Sequence, residues 1–185
     1  MDTALTISPK AKVRWRHDAF GNSIAVAEFS DATTALQFHS TIEVELYPRP
    51  DMEVTVEDYA RILPFAYSAD EIGDLGRTNE RHFVDPGDLV PGWSRGIMGQ
   101  CPSNETWDIL LAMTRDIKSD FAYEARVSEG VQDPVFTLPR RAGSCRDFAV
   151  FLMEAARGFG LAARFVTGYL YDPMVDGGHG GDAVE

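Results

Sequence analysis

The hydrophobic period of this chain changes once along its length, so strands and helices must occupy separate stretches of the fold. Residues 3–47 alternate apolar and polar positions through ALTIS, VRWRH, SIAVAEF, ALQFH and TIEVELY, and are rich in β-branched and aromatic side chains. DAFGN, from Asp18 to Asn22, is turn chemistry between the second and third of these runs, since Gly and Asn take positive φ at little cost. An antiparallel β unit is expected. Further on the period becomes helical. Leu110, Met113, Ile117 and Phe121 recur at i, i+3, i+7 and i+11 behind Ser103 or Asn104, either of which can cap a helix. Phe148, Leu152, Ala155 and Phe159 recur at i, i+4, i+7 and i+11, in a helix that starts near Ser144 and ends at the Gly158 to Gly160 stretch. Ala162 to Tyr171 (AARFVTGYLY) then reads as a strand stopped by Asp172-Pro173. Strands first and helices afterwards predict an α+β fold.

Between these regions the chain is heavily punctuated. Pro48 and Pro50 bracket the exit from the β unit, Pro64 interrupts Met52 to Asp74, and Asp85 to Pro102 holds three prolines and four glycines. The expected organisation is a β-rich N-terminal region over 1–47, partial in extent, an irregular linker or wrap over 48–102, and an α+β core, also partial, over 103–185. Gly177 to Gly181, with His179 at its centre, has the composition of a flexible loop.

Charge and composition then exclude several partners. The 185 residues carry a net charge of −12, with Lys10, Lys12 and Lys118 as the only lysines. Binding nucleic acid needs a basic face to neutralise phosphates, and no run supplies one. Lys10 to Arg16 alternates with apolar residues as a solvated strand face does. A hydrophobic content of 44% with 25% charged residues is globular composition. No apolar run approaches the ~18 residues of a membrane span, and the polar start MDTALTISPK has no secretory core, so a cytoplasmic protein with no membrane partner is expected. Cys101 and Cys145 are too few for a disulfide framework and lack zinc-site spacing.

The two thiols differ in setting. Ser144 stands at N-cap, Cys145 at N1 and Asp147 at N3 of the second helix, and Ser-x-x-Asp is a shorter relative of the capping box. A sulfur at N1 lies beside unpaired amides at the positive end of the helix dipole, which favours thiolate over thiol. Arg140, Arg141 and Arg146 push the same way and Asp147 pushes against them. The Cys145 amide is also a candidate oxyanion donor. An inert buried thiol is the commoner fate of an intracellular cysteine, and local chemistry leaves both readings open. Cys101, ahead of Pro102 and without basic neighbours, reads as an ordinary packing or surface thiol.

The run GVQDPVFTLPRRAGSCRDFAVFLMEAARGFGLAARFVTGYLYDP, Gly130 to Pro173, closely resembles the bacterial transglutaminase-like family of cysteine proteases and acyltransferases, which have a papain-like fold. Phe121-Ala122-Tyr123 matches the aromatic end of the preceding helix, and RWRHDAFGNSIAVAEF (Arg14 to Phe29) is similar to the family's β-rich N-terminal region. The resemblance implies Cys145 as nucleophile, a histidine to take its proton and an acid to orient that histidine. In the family the histidine lies on the next strand in a His-Ala-Trp-like context, with an Asp further on before a proline. Neither His179, followed by Gly180-Gly181, nor Asp182 matches that pattern. The expectation is therefore a piece of a longer protein that lacks its general base and orienting acid and is inactive alone. His17, His39 and His82 read as solvated or hydrogen-bonding structural residues. Papain-like enzymes use an upstream glutamine as a second oxyanion donor. Gln132 is the candidate, against a plainer role bracing the Gly130 to Pro134 loop. Tyr123 and Tyr169 read as core or rim aromatics, with lining of the cleft as the alternative.

Gly92-Trp93-Ser94-Arg95-Gly96 satisfies the G-x-S-x-G elbow of serine hydrolases, but Ser94 lies between Pro91 and Gly99, without the strand and helix an elbow needs. The expected function is a transglutaminase-like cysteine acyltransferase, or amidase or peptidase. It would act through a thioester on a carboxamide or peptide substrate, with water or an amine as acceptor and with no metal or organic cofactor implied. The alternative is a non-catalytic module of the same fold used for binding or assembly.

Overall fold

The β region forms two antiparallel pairs. The structure is a computed structural model, and it describes residues 2–45 and 55–168. Strand β1 (Asp2–Ser8) pairs with β4 (Gln37–Glu43) from Asp2↔Glu43 to Ser8↔Gln37, and β2 (Lys12–His17) pairs with β3 (Ser23–Glu28) from Lys12↔Glu28 to His17↔Ser23. ALQFH and TIEVELY, expected as two strands, thus contribute to one, because no Gly, Pro, Asn or Asp separates Phe38 from Thr41. The β2–β3 turn is organised by Asp18, whose Oδ1 accepts the amides of Phe20 (2.8 Å) and Asn22 (2.9 Å). Gly21 supplies the positive φ of 81°. Lys12–His17 is exposed throughout, as a solvated basic strand should be.

The chain divides into two compact units, Met1–Val54 and Thr55–Glu185. Among its described residues the second contains a 3-10 turn (Asp58–Ala60) and five helices, α1 (Ala69–Leu75), α2 (Leu89–Met98), α3 (Thr106–Asp120), α4 (Pro134–Arg140) and α5 (Cys145–Arg157). Two short strands, β5 (Ala122–Tyr123) and β6 (Ala142–Gly143), pair in parallel.

The stretch expected to be an irregular linker or wrap holds α1 and α2. Pro91 and Gly99 fall where a helix tolerates them, while Gly92 and Gly96 lie inside α2. Pro91 is the third residue of α2, where a backbone N–H has no intrahelical acceptor, and Gly99 is the C-cap. Asp85, its side chain only 1% exposed, accepts the Leu89 and Val90 amides at 3.0 Å each and so starts the helix from outside it. Ser94 is fully buried within α2 and donates to the Pro91 carbonyl at 3.0 Å, which removes it as a nucleophile.

The expected helix around Met113 is α3, but neither Ser103 nor Asn104 caps it. Glu105 is its N-cap, the Asn104 carbonyl accepts from the Leu63 amide, and the Thr106 hydroxyl donates to the Ala60 carbonyl. These bonds and the Ile62↔Glu105 bridge stitch the 60–63 segment to the head of α3. Met113, Ile117 and Phe121 are buried as the spacing predicts, with Leu110 partly so.

Helix α5 packs against α2, α3 and α4. Its deepest residue is Phe151, with ring centroids 4.7 Å from Trp93 and 5.3 Å from Phe121. The predicted stripe of Phe148, Leu152, Ala155 and Phe159 is displaced around the helix, and of these only Ala155 is fully buried. The buried face also includes Asp147, Glu154 and Arg157, which an apolar pattern cannot flag. Glu154 and Arg157 pair at 2.8 Å. Glu154 also accepts the His82 and Phe83 amides, while Arg157 donates to the carbonyls of Thr78 and Ala163. Gly158 closes the helix against α2, where a Cβ would meet Pro91 at 3.1 Å.

The strand expected over Ala162 to Tyr171 is not formed in its described part, 162–168. The Ala162 amide donates to the Tyr67 hydroxyl and the Ala163 amide to the Thr78 carbonyl, so these donors are engaged outside any ladder. Tyr169 to Tyr171, the Gly177 to Gly181 loop, His179 and Asp182 lie outside the described residues. Among the described residues no helix is long and apolar enough to cross a membrane.

Phe151→Ala is expected to cost the second unit about 3–5 kcal/mol by leaving a cavity among Trp93 and Phe121. Val84→Ala, at a side chain 84% exposed, should change stability by less than about 0.5 kcal/mol. Urea unfolding followed by tryptophan fluorescence checks both.

Candidate active site

Cys145 is the first residue of α5 and is half-buried, and neither it nor Cys101 is in a disulfide. The turn that presents it is built by the expected capping box. Ser144 accepts from the N3 amide, while Asp147 Oδ2 accepts the Ser144 amide and hydroxyl, each at 2.8 Å. The other oxygen of Asp147 accepts the Gln132 amide at 2.6 Å and Arg126 Nη1 at 3.1 Å. Asp147 has no solvent exposure. Gly143 allows this approach, since a Cβ there would lie 3.0 Å from the Cβ and 3.2 Å from Oδ2 of Asp147.

Burial pushes the Asp147 carboxyl up, but the Gln132 and Ser144 amides, the Ser144 hydroxyl and the Arg126 charge outweigh it. The net position lies below the ordinary 3.8.

The approach to this turn is fixed by β5 and β6. The Ala122 amide donates to the Arg141 carbonyl and the Glu124 amide to that of Gly143, both at 2.8 Å. Tyr123, in register with Gly143, is 65% exposed and therefore a rim residue. Helix α4, which the sequence pattern does not announce, is started by Asp133, which accepts the Val135 amide, and ends at Arg141 in the left-handed region (φ 51°).

Each of the three arginines read as neighbours of the thiol has partners of its own. Arg140 pairs with Glu124 at 2.6 Å. Arg141 pairs with Asp120 at 3.1 Å and lies 5.1 Å from the centroid of Phe121. Arg146 Nη2 donates to the carbonyls of Ser128 (2.6 Å) and Arg126 (3.2 Å). Gln132 is likewise occupied: Nε2 donates to Thr137 Oγ1 at 2.9 Å and to the Ala142 carbonyl at 3.0 Å. An amide nitrogen has two protons, so none remains for an oxyanion, and the geometry gives Gln132 the bracing role instead. Arg126, 19 residues before Cys145, is the site residue that sequence reasoning missed, because nothing local marks it as the partner of Asp147.

Of the histidines, His82 is held by its amide to Glu154, nine residues and about 13 Å along α5 from Cys145. The rings of His17 and His39 hydrogen-bond to Ser23 and Thr41 in the N-terminal unit. Among the described residues no group of three or more His, Cys, Asp or Glu is placed to hold a metal ion.

This geometry, a cysteine opening a buried, capped helix behind a two-stranded platform, coincides with two family matches. The transglutaminase-like superfamily core matches residues 91–183, and the bacterial transglutaminase-like N-terminal region matches residues 1–45. The core match covers half of the chain, and the chain belongs to the transglutaminase-like superfamily. It begins in α2, so that helix is part of the core. A crystal structure described as a "putative cysteine protease" from Cytophaga hutchinsonii superposes with a TM-score of 0.57 at 18% identity, a likeness of fold. The match covers 86% of this chain and 52% of that one, so the chain spans about half the length of this relative. No curated protein matches the chain.

The depressed Asp147 carboxyl stabilises the fold in one direction of pH. Its contribution is complete above the unfolded-chain value near 4 and is lost as pH falls through the lower folded value, so unfolding free energy should rise with pH across that window. Asp147→Asn should reduce that acid-side slope. Urea midpoints measured from about pH 2 to 6 check this, and an unchanged slope in the variant would contradict it.

Proposed function

We propose that this protein acts by cysteine acyl chemistry, with Cys145 as nucleophile and a protein or peptide amide as substrate. The observation that carries the reading is the placement of Cys145 at N1 of α5, on a turn fixed by a buried capping box, within the matched family core. The positive end of a helix dipole stabilises negative charge that develops at its first residue during a reaction.

The thiolate attacks the amide carbonyl carbon. A C–S bond forms and the carbonyl π pair moves onto oxygen. Collapse of that intermediate breaks the C–N bond, the leaving amine takes a proton, and a thioester remains on Cys145. Attack by water gives hydrolysis and attack by an amine gives transamidation, and either returns the thiol. The description of the Cytophaga hutchinsonii relative as a putative cysteine protease supports a protein or peptide substrate, and the transglutaminase-like core supports an amine as the alternative acceptor.

Iodoacetamide at about pH 6 should modify Cys145 at least about tenfold faster than Cys101, whose Sγ donates to the Ile97 carbonyl at 3.4 Å. Peptide mapping by mass spectrometry reads the two rates, and equal slow labelling would count against a primed thiol. In the full-length protein Cys145→Ala should abolish amide turnover while leaving the circular dichroism unchanged. Unchanged turnover would remove Cys145 as nucleophile and favour a non-catalytic binding or assembly module.

A further inference from the structure

We propose that Asp147 is a positioning residue that docks the segment from Arg126 to Gln132 beside Cys145, as a wall of the thiol's site. The segment needs an anchor because nothing apolar holds it. No residue from 122 to 133 is buried, Val127 is fully exposed, and Gly130 turns the chain at φ 76°. Its two ends are held instead by the residues that immediately follow the thiol. Asp147 accepts from Arg126 Nη1 and from the Gln132 amide, and Arg146 donates to the carbonyls of Arg126 and Ser128. Within the segment Arg126 also donates to the Ser128 hydroxyl, which closes a small loop on its own guanidinium.

Hydrogen bonds to a carboxylate sheltered from water are strong, and bonds of this kind replace the apolar contacts that fix most surface segments. One carboxylate therefore does two things. Oδ2 sets the turn that carries Cys145, and Oδ1 sets how closely the 126–132 segment lies against that turn. Val127 and Val131, both exposed, lie within the segment so held. The consequence for catalysis rests on the functional reading above, but the docking itself can be tested on the thiol whether or not it turns over.

In a Cys101→Ser background, rates of Cys145 modification by iodoacetamide and by a bulky fluorescein maleimide are compared by intact mass. Arg126→Gln and Asp147→Asn should each raise the bulky-to-small rate ratio about tenfold by letting the wall open. Ser144→Ala removes a cap hydroxyl without touching the segment, and should leave the ratio within about twofold. A role confined to global stability would lower the melting temperature and leave the ratio of the folded protein unchanged. An unchanged ratio in folded Arg126→Gln, or an equal rise in Ser144→Ala, would overturn the proposal. Because Arg126 is 22% exposed at its side chain and lies outside α5, that variant decides the matter even if Asp147→Asn fails to fold.

Discussion

One buried carboxylate joins two stretches of chain that are separate in sequence, the 126–132 segment and the turn at Ser144. Asp147 has no exposure, yet it is charged, so every lone pair it offers must meet a donor. The fold supplies an amide and a hydroxyl from Ser144, an amide from Gln132 and a guanidinium from Arg126. Replacing such a pair with apolar groups is often neutral, whereas losing one partner leaves an uncompensated charge at a cost of about 3–5 kcal/mol. The arrangement therefore specifies geometry more than it adds stability. It fixes where α5 begins, and with it where Cys145 stands.

The opposite end of α5 is treated the same way. Glu154 and Arg157 are buried together and bind the backbone of the 78–83 segment and of Ala163. Between these two polar anchors lies the aromatic contact of Phe151 with Trp93 and Phe121. Dispersion and the removal of apolar surface from water hold the helix in the unit, and the polar ends decide its rotation and register. This division explains why the apolar stripe read from spacing is displaced from the face that is buried. Spacing counts apolar side chains, and three of the side chains buried on α5 are charged.

The local features were legible in the sequence. Ser144, Cys145 and Asp147 declare a capped helix start because a capping box spans only four residues and depends on no distant contact. The alternation in residues 3–47 declares antiparallel strands, and the Asp18 to Asn22 turn is set by the Asp18 side chain itself. Helix α2 was illegible because its start is made by Asp85 across a loop, and because rules about proline and glycine are statements about helix interiors that Pro91 and Gly99 do not occupy. The partners of the arginines were illegible for a related reason. Nearness in sequence groups Arg140 and Arg141 with the thiol, and only the fold brings Glu124, Asp120 and the ring of Phe121 to them.

What the sequence determined by itself is the class of the molecule: an α+β chain with a cysteine at the head of a helix, matched to the transglutaminase-like superfamily. Periodicity, caps and motif all act over a few residues, and so they can be read in one dimension. Tertiary structure alone decided which groups serve that cysteine. It turned Gln132 into a brace, engaged two arginines with carboxylates, and brought Arg126 from 21 residues away to Asp147. Those outcomes depend on which donor reaches a buried acceptor first, a three-dimensional competition that linear spacing does not encode.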